Sequence, residues 1–270
     1  MENLELIRYL RFEGRLDWLW LPITELGSEI AYIVILSALF LRFPKIGRQI
    51  GIYFGLSAAV NTLLKLTFGL PRPYDLEPSL TSAAAQETIG SPGLPSGHSQ
   101  NAAFVWGYLG ITQPYVWLRI LTPILILLIG FSRLSLGVHF LEDVLLGLAI
   151  GGLLAWIASR FYIPELTWQI SLTLVIVAGV ACIFLPESYS RGIAVMVGFL
   201  GSRDFSVPRV GWQQGLFVLA GVLLAFVLYF VSSILLPDEI KRSGLGAYLR
   251  YLVIVLTVAV AYPRMLGKRV

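Results

Sequence analysis

The run VHFLEDVLLGLAIGGLLAWIAS, residues 138–159, decides the fold. From Val144 to Ser159 it carries no charged side chain, and nearly every position is aliphatic, aromatic or glycine. Coiled as a helix at about 1.5 Å per residue, a run of this length covers the roughly 30 Å hydrocarbon core of a bilayer. Its polar residues, His139, Glu142 and Asp143, gather at one end. The run therefore predicts a membrane-spanning helix with polar chemistry at its mouth.

Working outward, further apolar runs predict spans at 24–41, 49–70, 101–113, 115–132, 167–185, 211–236 and 247–262. The apolar segment 192–201 is only ten residues long, about half a bilayer, and reads as re-entrant or as a short tilted span. No internal repeat is visible. The expected fold is all-α, a polytopic membrane bundle with a core of about six transmembrane helices and two or three more toward the C-terminus. A polar, Pro-, Ser- and Gly-rich loop fills 71–100. The first residues lack the basic-then-apolar order of a cleavable signal peptide. Instead Leu4, Ile7, Leu10 and Phe12 alternate with charges at helical spacing, which predicts a short amphipathic helix at the membrane surface.

Composition agrees. Of 270 residues, 57% are hydrophobic and 13% charged, and the mean hydropathy is +0.78. One water-soluble core cannot hide that much apolar surface, and a disordered chain has the opposite bias, so both classes are excluded. The net charge of +4 would suggest nucleic acid for a soluble chain. In a membrane chain it is explained by Lys and Arg in cytoplasmic loops, and no nucleic-acid partner is expected. With the 71–100 loop outside, Arg42, Lys45, Arg48, Arg119 and Arg160 fall inside, and so do Arg264, Lys268 and Arg269 provided that 192–201 crosses. Arg8, Arg11, Arg15, Lys241 and Arg242 run against that pattern. The single cysteine, Cys182, allows no intrachain disulfide and reads as core or lipid-facing packing. No zinc or iron–sulfur spacing exists.

Three clusters stand at the predicted outer ends of spans. In the first, Lys65 precedes Arg72-Pro73 by seven residues, which on a helix sets the two cations near one face. Pro71 and Pro73 end the helix, so Arg72 sits on the loop at the membrane surface and Lys65 about two turns deeper. The second is Gly93-Leu94-Pro95-Ser96-Gly97-His98-Ser99, a tight turn with Ser96 as N-cap of the following span. Its free backbone N–H groups suit an anion. In the third, Ser132-Arg133 precedes His139 and Asp143, whose i, i+4 spacing lets the carboxylate hold one imidazole nitrogen. Each cluster alone could be ordinary: a snorkelling lysine, a capped turn, a polar pair tethering a helix end. Together they make three cations, both histidines of the chain, a carboxylate and a helix N-terminus on one side of the membrane. That set fits phosphoryl transfer without a metal or other cofactor, since no Asp/Glu cluster able to hold two metals appears among them.

All eleven fixed positions of Lys65-x6-Arg72-Pro73, Pro95-Ser96-Gly97-His98 and Ser132-Arg133-x5-His139-x3-Asp143 resemble the three-part signature of the type 2 phosphatidic acid phosphatase superfamily. The resemblance covers about 50–160 and implies residue roles. His139 would be the nucleophile that forms a phospho-histidine, with Asp143 orienting it. His98 would be the general acid. Lys65, Arg72, Ser96, Gly97 and Arg133 would bind the phosphoryl group. The site would face the periplasm, exterior or lumen, and its partners would be the bilayer and a lipid phosphate.

The implied organisation is a catalytic membrane core over 1–163, including the N-terminal interfacial helix, followed by additional C-terminal transmembrane helices over 164–270. Those extra helices suit packing or homo-oligomerisation, or a lateral groove for a lipid tail. Glu87, ahead of Gly93-Leu94-Pro95, resembles the corresponding stretch of sphingosine-phosphate phosphatases. The i, i+4 pair Glu25 and Glu29 fits the outer interface. The expected activity is hydrolysis of a lipid phosphomonoester or diphosphate. A phosphotransferase would share the first half-reaction. A transporter of anions or lipids would need neither the paired histidines nor the His–Asp couple, and composition excludes a soluble haloperoxidase.

Overall fold

A computed structural model describes residues 2–86, 91–206 and 211–266. Glu87, Lys268 and Arg269, which figured in the expectations above, lie outside the described residues. The chain is helical: α1 (Glu2–Arg11), α2 (Asp17–Glu25), α3 (Glu29–Arg42), α4 (Pro44–Phe68), α5 (Pro73–Leu76), α6 (Ala83–Gln86), α7 (Gly97–Thr112), α8 (Val116–Ser135), α9 (Leu141–Arg160), α10 (Trp168–Ala181), α11 (Glu187–Leu200), α12 (Gly211–Leu235), α13 (Asp238–Arg242), α14 (Gly244–Leu256) and α15 (Tyr262–Leu266).

Among the described residues, five stretches are long and apolar enough to cross a membrane: Pro44–Leu76, Val116–Ser135, Leu141–Arg160, Gly211–Leu235 and Gly244–Leu266. A sixth results if the broken pair Asp17–Glu25 and Glu29–Arg42 counts as one span. Eight spans were expected. The difference lies in α7 and α10, which form where expected but have only 16 and 14 residues. The doubtful segment 192–201 lies in α11, another 14-residue helix. The chain is a multi-pass membrane protein.

It divides into two compact units. One holds Met1–Ala31 with Val60–Phe161, the other Tyr32–Ala59 with Tyr162–Val270. In the first unit α7 and α9 pack backbone to backbone. A methyl group at Gly147 would lie 2.6 Å from the Ser96 carbonyl oxygen, and one at Gly151 2.1 Å from that of Gln100. Small residues one turn apart make this approach possible, as in other membrane helix pairs. The first unit also seats α1. Ile7 is fully buried with Leu80, Leu134 and Val144, and Leu4 and Leu10 pack against the same cluster. The apolar face of the N-terminal helix thus meets protein. Arg11, buried, pairs with Asp17 and donates 2.9 Å to the Leu80 carbonyl.

In the second unit Arg48 is not a free loop charge. It is fully buried and donates to the carbonyls of Ile163, Pro164 and Ser202 at 2.6, 3.0 and 3.3 Å. Cys182 packs in the core with Ala194, Tyr248, Tyr251 and Leu252.

Candidate active site

All eight sequence-selected residues lie in the first unit. Lys65 stands near the end of α4, which stops at Phe68 because Gly69 turns into the left-handed region at φ 57°. The helix ends before Arg72, which sits on the loop as Pro71 and Pro73 predict. The two cations converge on one piece of backbone beyond it. The Lys65 ammonium donates to the Pro92 carbonyl and, at 3.3 Å, to that of Gly93. Arg72 donates to Ser91 and Pro92 at 2.7 and 3.3 Å. Both cations are almost fully buried.

The second cluster behaves as its residues dictate. Leu94–Pro95 is a cis peptide, and Ser96 caps α7 by accepting from the Ser99 N–H. The helix therefore starts at Gly97, a turn earlier than the apolar run suggests. The Gly97 and His98 amides have no acceptor among the described residues. They are the unpaired donors that every helix N-terminus presents. His98 is half-buried, and its Nε2 has no hydrogen-bond partner among the described residues. The Ser96 N–H donates 2.9 Å to the Asp143 carbonyl, fastening the second cluster to the third.

In the third cluster His139 precedes α9 rather than riding on it. Asp143 sits at the third helical position, where its Oδ2 accepts from the Phe140 N–H at 3.0 Å and faces His139 Nδ1 at 3.1 Å. One carboxylate oxygen thus caps the helix and holds the ring. The chain reaches His139 through Gly137, at φ 69°, where an added Cβ would lie 1.9 Å from the Leu80 carbonyl oxygen. Leu136 and Val138 anchor this turn in a cluster with Trp20 and Ala85.

On the other side of the ring, Arg72 NH1 lies 3.0 Å from His139 Nε2 and donates to the Val138 carbonyl at 2.8 Å. A guanidinium has no acceptor to offer, so Nε2 takes the bond with its lone pair and the ring proton resides on Nδ1, toward Asp143. Burial, followed by the charges of Arg72, Arg133, Lys65 and His98, holds the His139 pKa well below its usual 6.5. The ring is neutral at neutral pH.

Arg133 is fully buried on α8, and its NH1 donates to Thr24 Oγ1. The charges of Lys65, Arg72 and Arg133 act on both imidazoles. Sequence reasoning missed Thr24, Asn61 and Gln100. Asn61, one helical turn before Lys65, donates to Gln100 Oε1 at 2.8 Å and toward the Pro95 carbonyl at 3.4 Å. Its spacing from Lys65 was the available signal. Glu25 and Glu29 are both exposed. Among the described residues no three His, Cys, Asp or Glu side chains gather in a metal-binding group.

The chain is similar to known proteins. The PAP2 superfamily description matches residues 47–166. Phosphatidylglycerophosphatase B of Bacillus subtilis is 31% identical over 153 residues, 52% of this chain and 71% of that protein. Undecaprenyl-diphosphatase of Sulfolobus acidocaldarius is 26% identical over 169 residues, 58% of this chain and 77% of its own. The crystal structure of Aquifex aeolicus LpxE shares the fold at a TM-score of 0.52 and 24% identity, over 60% of this chain and 96% of that one. The chain belongs to the PAP2 superfamily of membrane lipid phosphatases.

Proposed function

We propose that the protein hydrolyses a lipid phosphate, a phosphomonoester or diphosphate, through a phospho-histidine intermediate and without a metal. The observation that carries this reading is the clamping of His139: Asp143 on Nδ1, and a buried arginine on Nε2. A neutral ring facing a cationic pocket becomes a nucleophile for phosphorus once Arg72 turns its N–H from Nε2 to the entering phosphate and frees the lone pair. As the phosphoryl group enters, its oxygens take the donors of Arg72, Lys65, Arg133 and the Gly97 and His98 amides. These donors neutralise charge that grows in the transition state. The negative charge of the bound phosphate offsets the three cations and lets His98 take up a proton; the N–P bond then forms as the P–O bond to the lipid breaks, and His98 passes that proton to the departing oxygen. Water then attacks the phospho-histidine with His98 as base, and inorganic phosphate leaves. The names of the two curated relatives, one a phosphatidylglycerophosphatase and the other an undecaprenyl-diphosphatase, support a substrate of this class.

An extracytoplasmic site is supported by the helices themselves. On α4, α8 and α9 the residues Lys65, Arg133 and Asp143 stand at one end, while exposed Lys45, Arg119 and Arg160 stand at the other. Basic residues mark the cytoplasmic side.

The test is release of inorganic phosphate by purified protein across a panel of lipid phosphates and diphosphates. Wild type should turn over at least one of them, with or without EDTA, and His139→Ala should abolish turnover while remaining folded. Unchanged turnover by His139→Ala, or loss of wild-type activity in EDTA, overturns the mechanism.

A further inference from the structure

We propose that the end of α2 and the start of the break before α3, residues 24–27, form a wall of the active site, with Thr24 as the positioning residue that aims Arg133. The inference rests on the reading just given. Thr24 is fully buried, and so is the guanidinium that donates to its hydroxyl. The local fold puts it there: the Gly27 N–H returns to the Thr24 carbonyl at 2.9 Å and the Ser28 N–H to that of Glu25 at 3.0 Å, closing α2 just as it reaches Arg133. A second contact is independent of the first. A Cβ at Gly27 would lie 3.0 Å from His98 Cδ2 and 2.9 Å from Ile129 Cγ2, so the bare backbone at 27 is the surface on which the His98 imidazole rests. One short segment therefore touches two of the residues assigned to the chemistry. Both Thr24 and Gly27 lie upstream of 47–166, the stretch that carries the family pattern.

A guanidinium donates in fixed, planar directions, so pinning one arm determines where its other N–H groups aim. Misplacing a positioned group by about 1 Å costs roughly a hundredfold in rate. Thr24→Val removes the acceptor at nearly constant volume, and Thr24→Ser restores it. Turnover would be measured per folded molecule, on monodisperse full-length protein, with phosphatidylglycerophosphate and undecaprenyl diphosphate in micelles as probes.

Thr24→Val should lower kcat by about ten- to a hundredfold with little change in KM, and Thr24→Ser should keep kcat near wild type. In an Arg133→Ala background Thr24→Val should cost nothing further, because its effect passes through that arginine. Should the valine variant not fold, Thr24→Ala takes its place with the same outcomes. Wild-type kcat in the hydroxyl-less variant, equal loss in Thr24→Ser, or full additivity with Arg133→Ala overturns the proposal. Failure of the hydrolytic reading itself shows differently, as turnover that survives His139→Ala.

Discussion

At the scale of single residues, one ring held from both sides organises the site. Asp143 and Arg72 face opposite nitrogens of His139, and the donor-only guanidinium leaves Nε2 unprotonated. Replacing Asp143 by Asn removes the acceptor that selects this tautomer. The expected loss in kcat is on the order of ten-thousandfold, as when the carboxylate of a serine-protease triad becomes an amide. Steady-state turnover of Asp143→Asn, checked for intact folding, measures it.

The depressed His139 pKa has a signed consequence. In the proposed mechanism protonation of His139 removes the nucleophile, and with its pKa held well below the usual 6.5 by burial this happens only in more acid solution. The acid limb of kcat/KM, corrected for ionisation of the substrate phosphate, should therefore fall below pH 6.5. A limb at or above that value contradicts the burial of the ring. The residue types were legible because His, Asp and three cations are rare in so apolar a chain. Their contacts were only partly so. Lys65 and Arg72 meet through the carbonyls of 91–93 rather than along a helix, and Asp143 reaches His139 while capping α9.

At the scale of elements, the site depends on how closely α9 approaches α7. Gly147 and Gly151 let the backbones touch, and the Ser96 to Asp143 bond lies at the mouth of that contact. Gly151→Leu should overpack it and destabilise the protein by about 1–3 kcal/mol, with turnover falling in parallel. Gly152→Ala is the control. Its added Cβ meets nothing within 4 Å, so stability should hold or rise by up to about 1 kcal/mol. Thermal unfolding in detergent, read beside phosphate release, separates the two. Apolar runs predicted these helices well, since a bilayer demands them. They could not show that the face of α1 would be occupied by Leu80, Leu134 and Val144, because amphipathic spacing is the same whether the partner is lipid or protein.

For the whole molecule, orientation is the property open to direct measurement. Ser79 is exposed in the loop after α5, whereas the native Cys182 is buried. In intact cells a Ser79→Cys protein should be labelled by a membrane-impermeant maleimide without permeabilisation. Labelling only after permeabilisation would put the site on the cytoplasmic face.

Sequence by itself determined the all-α membrane class, the residues of the three clusters and the phosphoryl chemistry they suit. Hydrophobic length and the scarcity of charge are local quantities that a chain displays without folding. Tertiary structure alone decided that Tyr32–Ala59 joins Tyr162–Val270 in one compact unit, that Arg48 is sealed against three carbonyls, and that Thr24 meets Arg133 across more than a hundred residues. The physical reason is that a buried donor must find an acceptor wherever the fold brings one. A threonine or a carbonyl that will supply it looks, in sequence, like any other.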